Sequence, residues 1–265
     1  CSSDLVFPCP SAFPCPIASA AARADAPLSH KVTRLSLHSS PGLVFDTPPI
    51  ELETGPDPRY SVIWMHGLGA DGSDFEPVVP ALALPRSPAV RFLFPHAPYR
   101  AVTCNAGYVM RAWYDIVSLA PHSRQIDEAG LLESRTLVRQ LIQREADRGV
   151  PGERVILAGF SQGGAVAYLT GLTHPTPLAG IIALSTYIPS PGLLVDGFVE
   201  ANRQVPVFAA HGTHDDVVSP ALGEHAVEVL RQLGIEPEWH RYPLPHSVSL
   251  EEIADIGRWL RTLVH

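Results

Sequence analysis

The sequence of 265 residues predicts an α/β fold in which a mainly parallel central sheet carries helices on both faces. Short apolar runs alternate with longer helical patterns along the chain, and turn residues separate them. The run at residues 155–158 lacks the polar alternation that is typical of a half-exposed strand. Strands that alternate with helices form βαβ units, which place helices on the two sides of a parallel sheet.

The predicted strands share a composition rich in Val, Ile, Leu and aromatic residues, and turn residues bound each of them. They are residues 32–37, 60–65, 90–94, 155–158, 180–184, 205–210 and 238–242. Residues 155–158 read Val-Ile-Leu-Ala. An uninterrupted apolar run of this kind indicates a strand that is buried on both faces of a parallel sheet.

Amphipathic patterns predict helices between these strands. Residues 128–148 repeat apolar side chains every three or four positions and precede Gly149, which suits the left-handed position after a helix. Residues 221–233 follow a Ser-Pro pair that is typical of a helix start. The last helix is expected to begin at Ser249, which forms a capping-box pattern with Glu252.

We expect residues 31–265 to form a single domain, because a chain of this length with 46% hydrophobic residues can bury one large core. Residues 1–30 differ in composition, with prolines that interrupt helices and strands. They are predicted to be a disordered or atypical N-terminal extension. Two alternatives stay open: the remnant of an export signal cleaved near Ala18 to Ala20, and a lipidated Cys1.

The net charge excludes some classes of partner. The chain carries a formal charge of -8 and has no basic run, which disfavours binding to nucleic acid or to anionic membrane surfaces. No apolar stretch approaches the ~18–20 residues of a membrane span, so stable membrane insertion is not expected. This balance leaves a small-molecule substrate open.

Three of the four cysteines lie in the first fifteen residues, and only Cys104 lies in the predicted domain. The domain therefore has no disulfide framework. This pattern favours a reducing compartment, and we expect a cytoplasmic location.

Residues 159–163 read Gly-Phe-Ser-Gln-Gly and match the G-x-S-x-G pattern of a nucleophile elbow. The pattern follows the predicted strand 155–158 and precedes a helix-compatible stretch, which is the context it requires. Small neighbours leave room for the sharp turn that exposes Ser161, and the helix start directs free N–H groups towards a developing oxyanion. The alternative is a glycine-rich turn with an incidental serine.

A serine nucleophile needs a base and an orienting acid, which follow it in the chain order Ser, Asp or Glu, His. Asp215 and Asp216 both follow the predicted strand 205–210, at the sheet edge where ligand sites gather. His246 lies in the loop between the last strand and the last helix, as this topology requires. The pattern leaves the choice between Asp215 and Asp216 open.

Five ordered segments together resemble the bacterial carboxylesterases and the eukaryotic acyl-protein thioesterases. The segments are HGLGADGSDF at residues 66–75, FPHAP at 94–98, GFSQGG at 159–164, the stretch from His211 to Asp215, and His246. The likeness runs from about Val62 to the C-terminus. It implies the α/β-hydrolase fold, no cofactor, and a triad of Ser161, Asp215 and His246.

The resemblance also implies an oxyanion hole formed by the backbone amides of Leu68 and Gln162, which agrees with their positions after a strand and after the nucleophile. Residues 103–115 look like the bacterial esterase branch, and by this resemblance Trp113, Tyr114 and Asp115 would border the substrate groove. Core packing is the alternative for the two aromatic residues. The family includes dimers, so the resemblance allows a homodimer.

We therefore predict a serine carboxylesterase that hydrolyses short- to medium-chain acyl esters through an acyl-enzyme. A first alternative keeps the triad but acts on acyl thioesters of proteins or on lysophospholipids. A second is a non-catalytic binder on a hydrolase fold. A third places a metal ion at His211, His214 and Asp215.

Overall fold

The computed structural model describes residues 7–8, 45–120 and 123–265. The predicted strand 32–37 lies outside the described residues, and so does the predicted extension 1–30 apart from Phe7–Pro8. That dipeptide pairs antiparallel with Ser247–Val248. Within the described ranges, no helix is both long enough and apolar enough to cross a bilayer.

A seven-stranded sheet occupies the centre of the fold. Its strands, labelled β1 to β7 in chain order, are Ile50–Glu53, Tyr60–Met65, Val90–Phe94, Val155–Phe160, Gly180–Leu184, Val207–Gly212 and Glu238–Tyr242. The spatial order is β7-β6-β5-β4-β2-β3-β1, and only the β1–β3 pair is antiparallel. The predicted mainly parallel sheet is confirmed.

Four predicted strands have the observed bounds, one is two residues longer than predicted, and one is displaced by two residues at both ends. β4 extends to Phe160 because the parallel pairing with β5 continues to Leu184. β6 begins at Val207 rather than at residue 205, because Pro206 has no N–H to donate to a neighbouring strand.

Five α-helices, labelled α1 to α5, are Glu128–Asp147, Gln162–Leu172, Pro191–Gly197, Pro220–Gln232 and Leu250–Leu263. The three predicted helices correspond to α1, α4 and α5. Gly149 adopts the expected positive φ of 92° after α1. Ser249 caps α5 by accepting a hydrogen bond from the Glu252 amide at 3.1 Å, as its pattern predicts.

Apolar side chains from the helices cover both faces of the sheet. One core contains residues of α1, α2, α3 and α4, and the other contains residues of α5 and of the 3-10 helix Glu76–Leu82. Alternate residues of β4 enter the two cores: Val155 and Leu157 face the first, and Ile156 and Ala158 face the second. The sheet is therefore sandwiched between helices, as predicted.

Two antiparallel hairpins between β3 and α1 were not predicted. The first pairs Tyr99–Val102 with Tyr108–Arg111, and the second pairs Ile116–Ala120 with Ser123–Ile126. Their strands are short, and the first hairpin includes charged and exposed residues instead of a continuous apolar run. Both hairpins follow the carboxyl end of β3, at the edge of the sheet where the site described below lies.

Candidate active site

Ser161 occupies a strained turn between β4 and α2, with φ 53° and ψ −118°. Positive φ is costly for a residue with a side chain, and such strain clusters at functional sites. Gly159 and Gly163 make the turn sterically possible. A Cβ at residue 159 would lie 2.2 Å from the carbonyl carbon of Gly163, and one at residue 163 would lie 2.3 Å from the Met65 carbonyl oxygen. The predicted strand–turn–helix context of the serine is confirmed.

Hydrogen bonds with β5 and with Thr186, which follows it, hold the backbone of Ser161 in this strained conformation. The Ser161 amide donates to the Leu184 carbonyl at 2.8 Å. The Thr186 hydroxyl donates to the Ser161 carbonyl at 2.6 Å and is itself buried. No sequence motif marked Thr186, because its role depends on the pairing of β4 with β5.

His246 and Asp215 form a close pair in the loops that follow β7 and β6. His246 Nδ1 and Asp215 Oδ2 are 2.7 Å apart, and both side chains are nearly inaccessible to solvent. The other oxygen, Oδ1, accepts hydrogen bonds from the amides of Val217 and Val218 at 2.9 and 2.8 Å. Asp215 thus takes the position expected of an orienting acid, whereas Asp216 is exposed.

The surroundings of Asp215 keep it ionised. Burial opposes ionisation of the carboxyl, but the hydrogen bonds of His211 and His246 outweigh burial and lower its pKa below the ordinary value. His211 Nε2 lies 3.3 Å from Asp215 Oδ2 and is buried. Because a carboxylate only accepts hydrogen bonds, His246 Nδ1 carries a proton, which leaves its Nε2 as the acceptor when the imidazole is neutral.

Ser161 and His246 both follow carboxyl ends of strands at the same edge of the sheet. The ring of Phe160, the residue before Ser161, lies 4.7 Å from the His246 ring. The hydrogen bonds between described residues do not include one from Ser161 Oγ to His246 Nε2. In free enzymes such a bond is often long and tightens only in the complex with substrate.

Two backbone amides beside Ser161 are available as donors. Gln162 is the first residue of α2, and Leu68 lies in the loop after β2. A Cβ at Gly67 would lie 3.6 Å from the Ser161 Cβ, so this loop passes directly beside the serine. Among the described backbone hydrogen bonds, neither amide has an acceptor. Both are thus free to bind a substrate oxygen.

His66 fixes the loop that carries Leu68. Its Nε2 accepts a hydrogen bond from the Ala97 amide at 3.0 Å, and its Nδ1 lies 2.7 Å from the Gly67 carbonyl oxygen. An amide only donates, so the proton must be on Nδ1, which donates to the carbonyl. Burial lowers the pKa of His66 to about 4, so the ring is neutral at physiological pH.

Trp113 is fully buried and donates hydrogen bonds to His66, in the loop after β2, and to Gln162, at the start of α2. Its indole Nε1 donates to the His66 carbonyl at 2.9 Å. Its backbone amide donates to Gln162 Oε1 at 2.8 Å, and Gln162 Nε2 donates to the Tyr114 carbonyl at 2.6 Å. The side chain of Gln162 is therefore fastened to residues 113–114, an arrangement that no spacing in the sequence revealed.

The expectation that Trp113 and Tyr114 border the substrate groove is corrected by their burial. Both have 0% exposure and pack in the core that contains α1 and α2, so they form no part of an exposed wall. The Tyr114 hydroxyl lies 3.0 Å from the Tyr187 hydroxyl. Asp115 is partly exposed, but its carboxylate accepts hydrogen bonds from the Thr103 amide and hydroxyl at 2.7 and 2.6 Å.

The three residues of the metal hypothesis do not converge. His211 Nε2 faces Asp215 and the Val218 carbonyl, which lies 2.8 Å away. His214 is exposed, and its Nδ1 lies 3.4 Å from the Thr213 hydroxyl. In the part of the chain that the structure describes, no three His, Cys, Asp or Glu side chains are placed to hold a metal ion.

Residues 51–264 match the model of a protein family described as phospholipase/carboxylesterase. The chain is 37% identical over 235 residues to acyl-protein thioesterase 1 of Mycosarcoma maydis, an alignment that covers 83% of this chain and 98% of that protein. It is 35% identical over 205 residues to carboxylesterase SOBER1 of Arabidopsis thaliana, covering 77% of this chain and 90% of that protein. The crystal structure of SOBER1 is similar with a TM-score of 0.74 at 34% identity, over 78% of this chain and 100% of that one.

Proposed function

The chain belongs to the phospholipase/carboxylesterase family of α/β-hydrolases, and from this premise we propose that it is a serine carboxylic-ester hydrolase acting on short- to medium-chain acyl esters. The observation that carries the proposal is the 2.7 Å pair of Asp215 and His246 at the sheet edge from which the strained Ser161 projects. These three residue types in this arrangement form the machinery of nucleophilic acyl transfer.

In the proposed mechanism, Ser161 Oγ attacks the acyl carbon while its proton passes to His246 Nε2. A new C–O bond forms and the carbonyl π pair moves to oxygen, which gives a tetrahedral oxyanion. Asp215, kept ionised by its hydrogen bonds, stabilises the imidazolium and holds it in orientation.

The amides of Leu68 and Gln162 are the proposed donors to the oxyanion, because each lies beside the serine and has no acceptor among the described residues. Collapse of the intermediate breaks the bond to the leaving alcohol, which takes the proton from His246. Water then attacks the acyl-enzyme with His246 as its base, releasing the carboxylic acid and restoring Ser161.

A second candidate function is hydrolysis of acyl thioesters. It is favoured by the relatives named acyl-protein thioesterase 1, which include the Mycosarcoma maydis protein. The triad serves either substrate, since only the leaving group differs. Comparing kcat/KM on an oxygen ester and a thioester of the same acyl chain tests the choice, and a thioester preference of about tenfold or more would favour this second function over the first.

The primary test measures hydrolysis of p-nitrophenyl acetate, butyrate and octanoate by the wild type and by Ser161→Ala. We expect the wild type to favour the shorter esters and the variant to lose at least about 10³-fold in kcat, since removal of a triad member leaves only the contributions of the oxyanion hole and binding. Full activity in Ser161→Ala would overturn the assignment.

We also propose a cytoplasmic location, which is supported by Cys104 being the one cysteine in the described ranges and by its free thiol. Fractionation of the native host, followed by detection of the protein with an antibody, tests the location.

A further inference from the structure

Trp113 joins the two structural elements that carry the proposed oxyanion donors. Its indole N–H binds the His66 carbonyl, two residues before Leu68. Its main-chain N–H binds the side chain of Gln162, whose own backbone amide is the second donor. One buried residue thus contacts both the loop after β2 and the start of α2.

The separation of the two donors decides whether both can bind one oxygen. Each N–H has to lie about 2.7–3.1 Å from the position that the oxyanion will occupy. The donors belong to different elements, so their separation depends on what fixes one element relative to the other. Misplacement by about 1 Å can cost on the order of 10²-fold in rate.

The position of the His66 carbonyl determines that of the Leu68 amide, because the segment between them is short and is held by hydrogen bonds at both ends. The His66 ring is held at both nitrogens, by the Gly67 carbonyl and by the Ala97 amide. The next amide after Leu68, that of Gly69, donates to the Arg111 carbonyl at 2.8 Å. The peptide between these anchors has little freedom to move independently of Trp113.

Trp113 is itself held in place by burial and by hydrogen bonds of its backbone. Its side chain is fully buried, and its carbonyl accepts a hydrogen bond from the hydroxyl of Ser134 on α1. The following residue is held by the Gln162 amide group and by the Tyr187 hydroxyl. The Trp113 backbone is therefore tied to α1 and to α2 at once.

We propose that Trp113 is a positioning residue that sets the separation of the Leu68 and Gln162 amides, an inference that rests on the proposed function. Among the described residues, the N–H groups of Trp113 donate to His66 and Gln162 and not to Ser161. Trp113 acts through the His66 carbonyl and the Gln162 side chain, and it stabilises the transition state more than the bound substrate.

The test compares Trp113→Phe with Trp64→Phe. Both changes remove the same atoms from a fully buried tryptophan, but the Trp64 indole nitrogen has no hydrogen-bond partner among the described residues. We expect Trp113→Phe to lower kcat for p-nitrophenyl butyrate by about 10- to 100-fold with KM within about threefold, less than the 10²–10³ that loss of a whole oxyanion donor costs. Trp64→Phe should keep kcat within about threefold at a similar loss of thermal stability.

Inhibition by a transition-state analogue distinguishes misplacement of the oxyanion donors from a general loosening of the core. A trifluoromethyl ketone adds the Ser161 oxygen to its carbonyl and places an oxyanion in the hole. Its Ki should rise in Trp113→Phe by the same factor as kcat falls, whereas the Ki of a neutral amide analogue of the substrate should stay unchanged. Equal shifts in the two inhibition constants would overturn the proposal.

Gln162→Met offers a second route that leaves Trp113 in place, since methionine has a similar length but cannot bind residues 113–114. It should show the same loss in kcat with little change in KM. Combined with Trp113→Phe, it should lose less than the product of the two single effects, because both changes break one connected unit. Multiplicative effects would contradict the inference.

The outcome for Ser161→Ala separates this inference from the function on which it rests. An inactive Ser161→Ala together with equal kcat values for Trp113→Phe and Trp64→Phe rejects the positioning role alone. An active Ser161→Ala rejects the esterase mechanism itself.

Discussion

Both carboxylate oxygens of Asp215 accept hydrogen bonds, and these partners determine how an asparagine side chain would orient at this position. Oδ1 accepts from the amides of Val217 and Val218, while Oδ2 faces His246. An asparagine would keep its oxygen towards the two amides and turn its NH₂ group towards His246. Nδ1 would then become an acceptor, and the proton would move to Nε2, where it blocks base catalysis.

We therefore expect Asp215→Asn to lower kcat by about 10³–10⁴-fold, as a wrong tautomer does in a serine triad. The matched control is Asp216→Asn, which alters an exposed carboxylate next to it in the chain. Its kcat should stay within about twofold of the wild type. Steady-state kinetics on p-nitrophenyl butyrate measure both, and a larger loss in Asp216→Asn would mean that the acid had been misassigned.

At the residue scale, the sequence identified those side chains whose type is restricted by the chemistry of a serine triad. The serine motif, the chain order of the triad and the loop position of His246 placed three side chains that the structure brings to one edge of the sheet. Trp113 and Tyr114 could not be assigned in the same way, because an aromatic residue suits a groove or a core equally well. Their burial is determined by how the segment packs between α1 and α2.

Helix α1 is joined to the sheet by a buried ionic network around Glu145. This carboxylate has 0% exposure and accepts hydrogen bonds from Ser61 on β2 at 2.6 Å and from Arg91 on β3 at 2.8 Å. Arg148, next to the end of α1, adds a third at 2.9 Å. A buried carboxylate with this many donors is fully compensated. Removing it leaves the buried Arg91 with the partly exposed Glu53 as its remaining partner in the described part of the chain.

We expect Glu145→Ala to lower the free energy of unfolding by about 3–5 kcal/mol, the usual range when one member of a buried pair is removed. Asp147→Ala on the same helix is the control. That residue is exposed, and in the described ranges its carboxylate accepts a hydrogen bond from Gln143 alone, so the change should cost no more than about 0.5 kcal/mol. Urea denaturation measures both, and equal midpoints would show that the network contributes nothing to the docking of α1.

At the level of elements, periodicity predicted what is buried on a regular face. Strands β2 to β7 and helices α1, α4 and α5 follow from apolar runs, caps and glycine stops. The edge strand β1 was not predicted, because its residues are only partly buried and alternate with exposed ones. The two hairpins after β3 were not predicted either, because their strands are short and partly exposed, and their pairing depends on loops rather than on a core-facing pattern. The Glu145 network also escapes sequence reading, since its members lie on three separate elements.

Over the whole molecule, one buried acid makes stability depend on pH in a predictable direction. Glu252 is 2% exposed, and burial raises its pKa from 4.5 to about 8. The folded state holds the neutral acid, whereas the unfolded chain ionises above its ordinary pKa. Stability contributed by the neutral form is thus complete below pH of about 4.5 and is lost as pH rises towards 8.

We expect Glu252→Gln to have nearly the same melting temperature as the wild type at pH 4.5 and a higher one at pH 8, because glutamine stays neutral. Glu251→Gln, which changes the exposed neighbour, should show no such dependence. Scanning calorimetry across this range checks the difference. A wild-type advantage that grows towards pH 8 would show that the folded state stabilises the ionised carboxylate instead.

The central claim is that Ser161 forms a covalent acyl-enzyme, and labelling with a fluorophosphonate tests it most directly. The phosphorus atom takes the place of the acyl carbon, so Ser161 displaces fluoride and keeps the phosphonyl group. Intact mass and peptide mapping should show one adduct, on the peptide that contains Ser161, and none in Ser161→Ala. An adduct on another residue, or an active protein that takes up no label, would contradict this account.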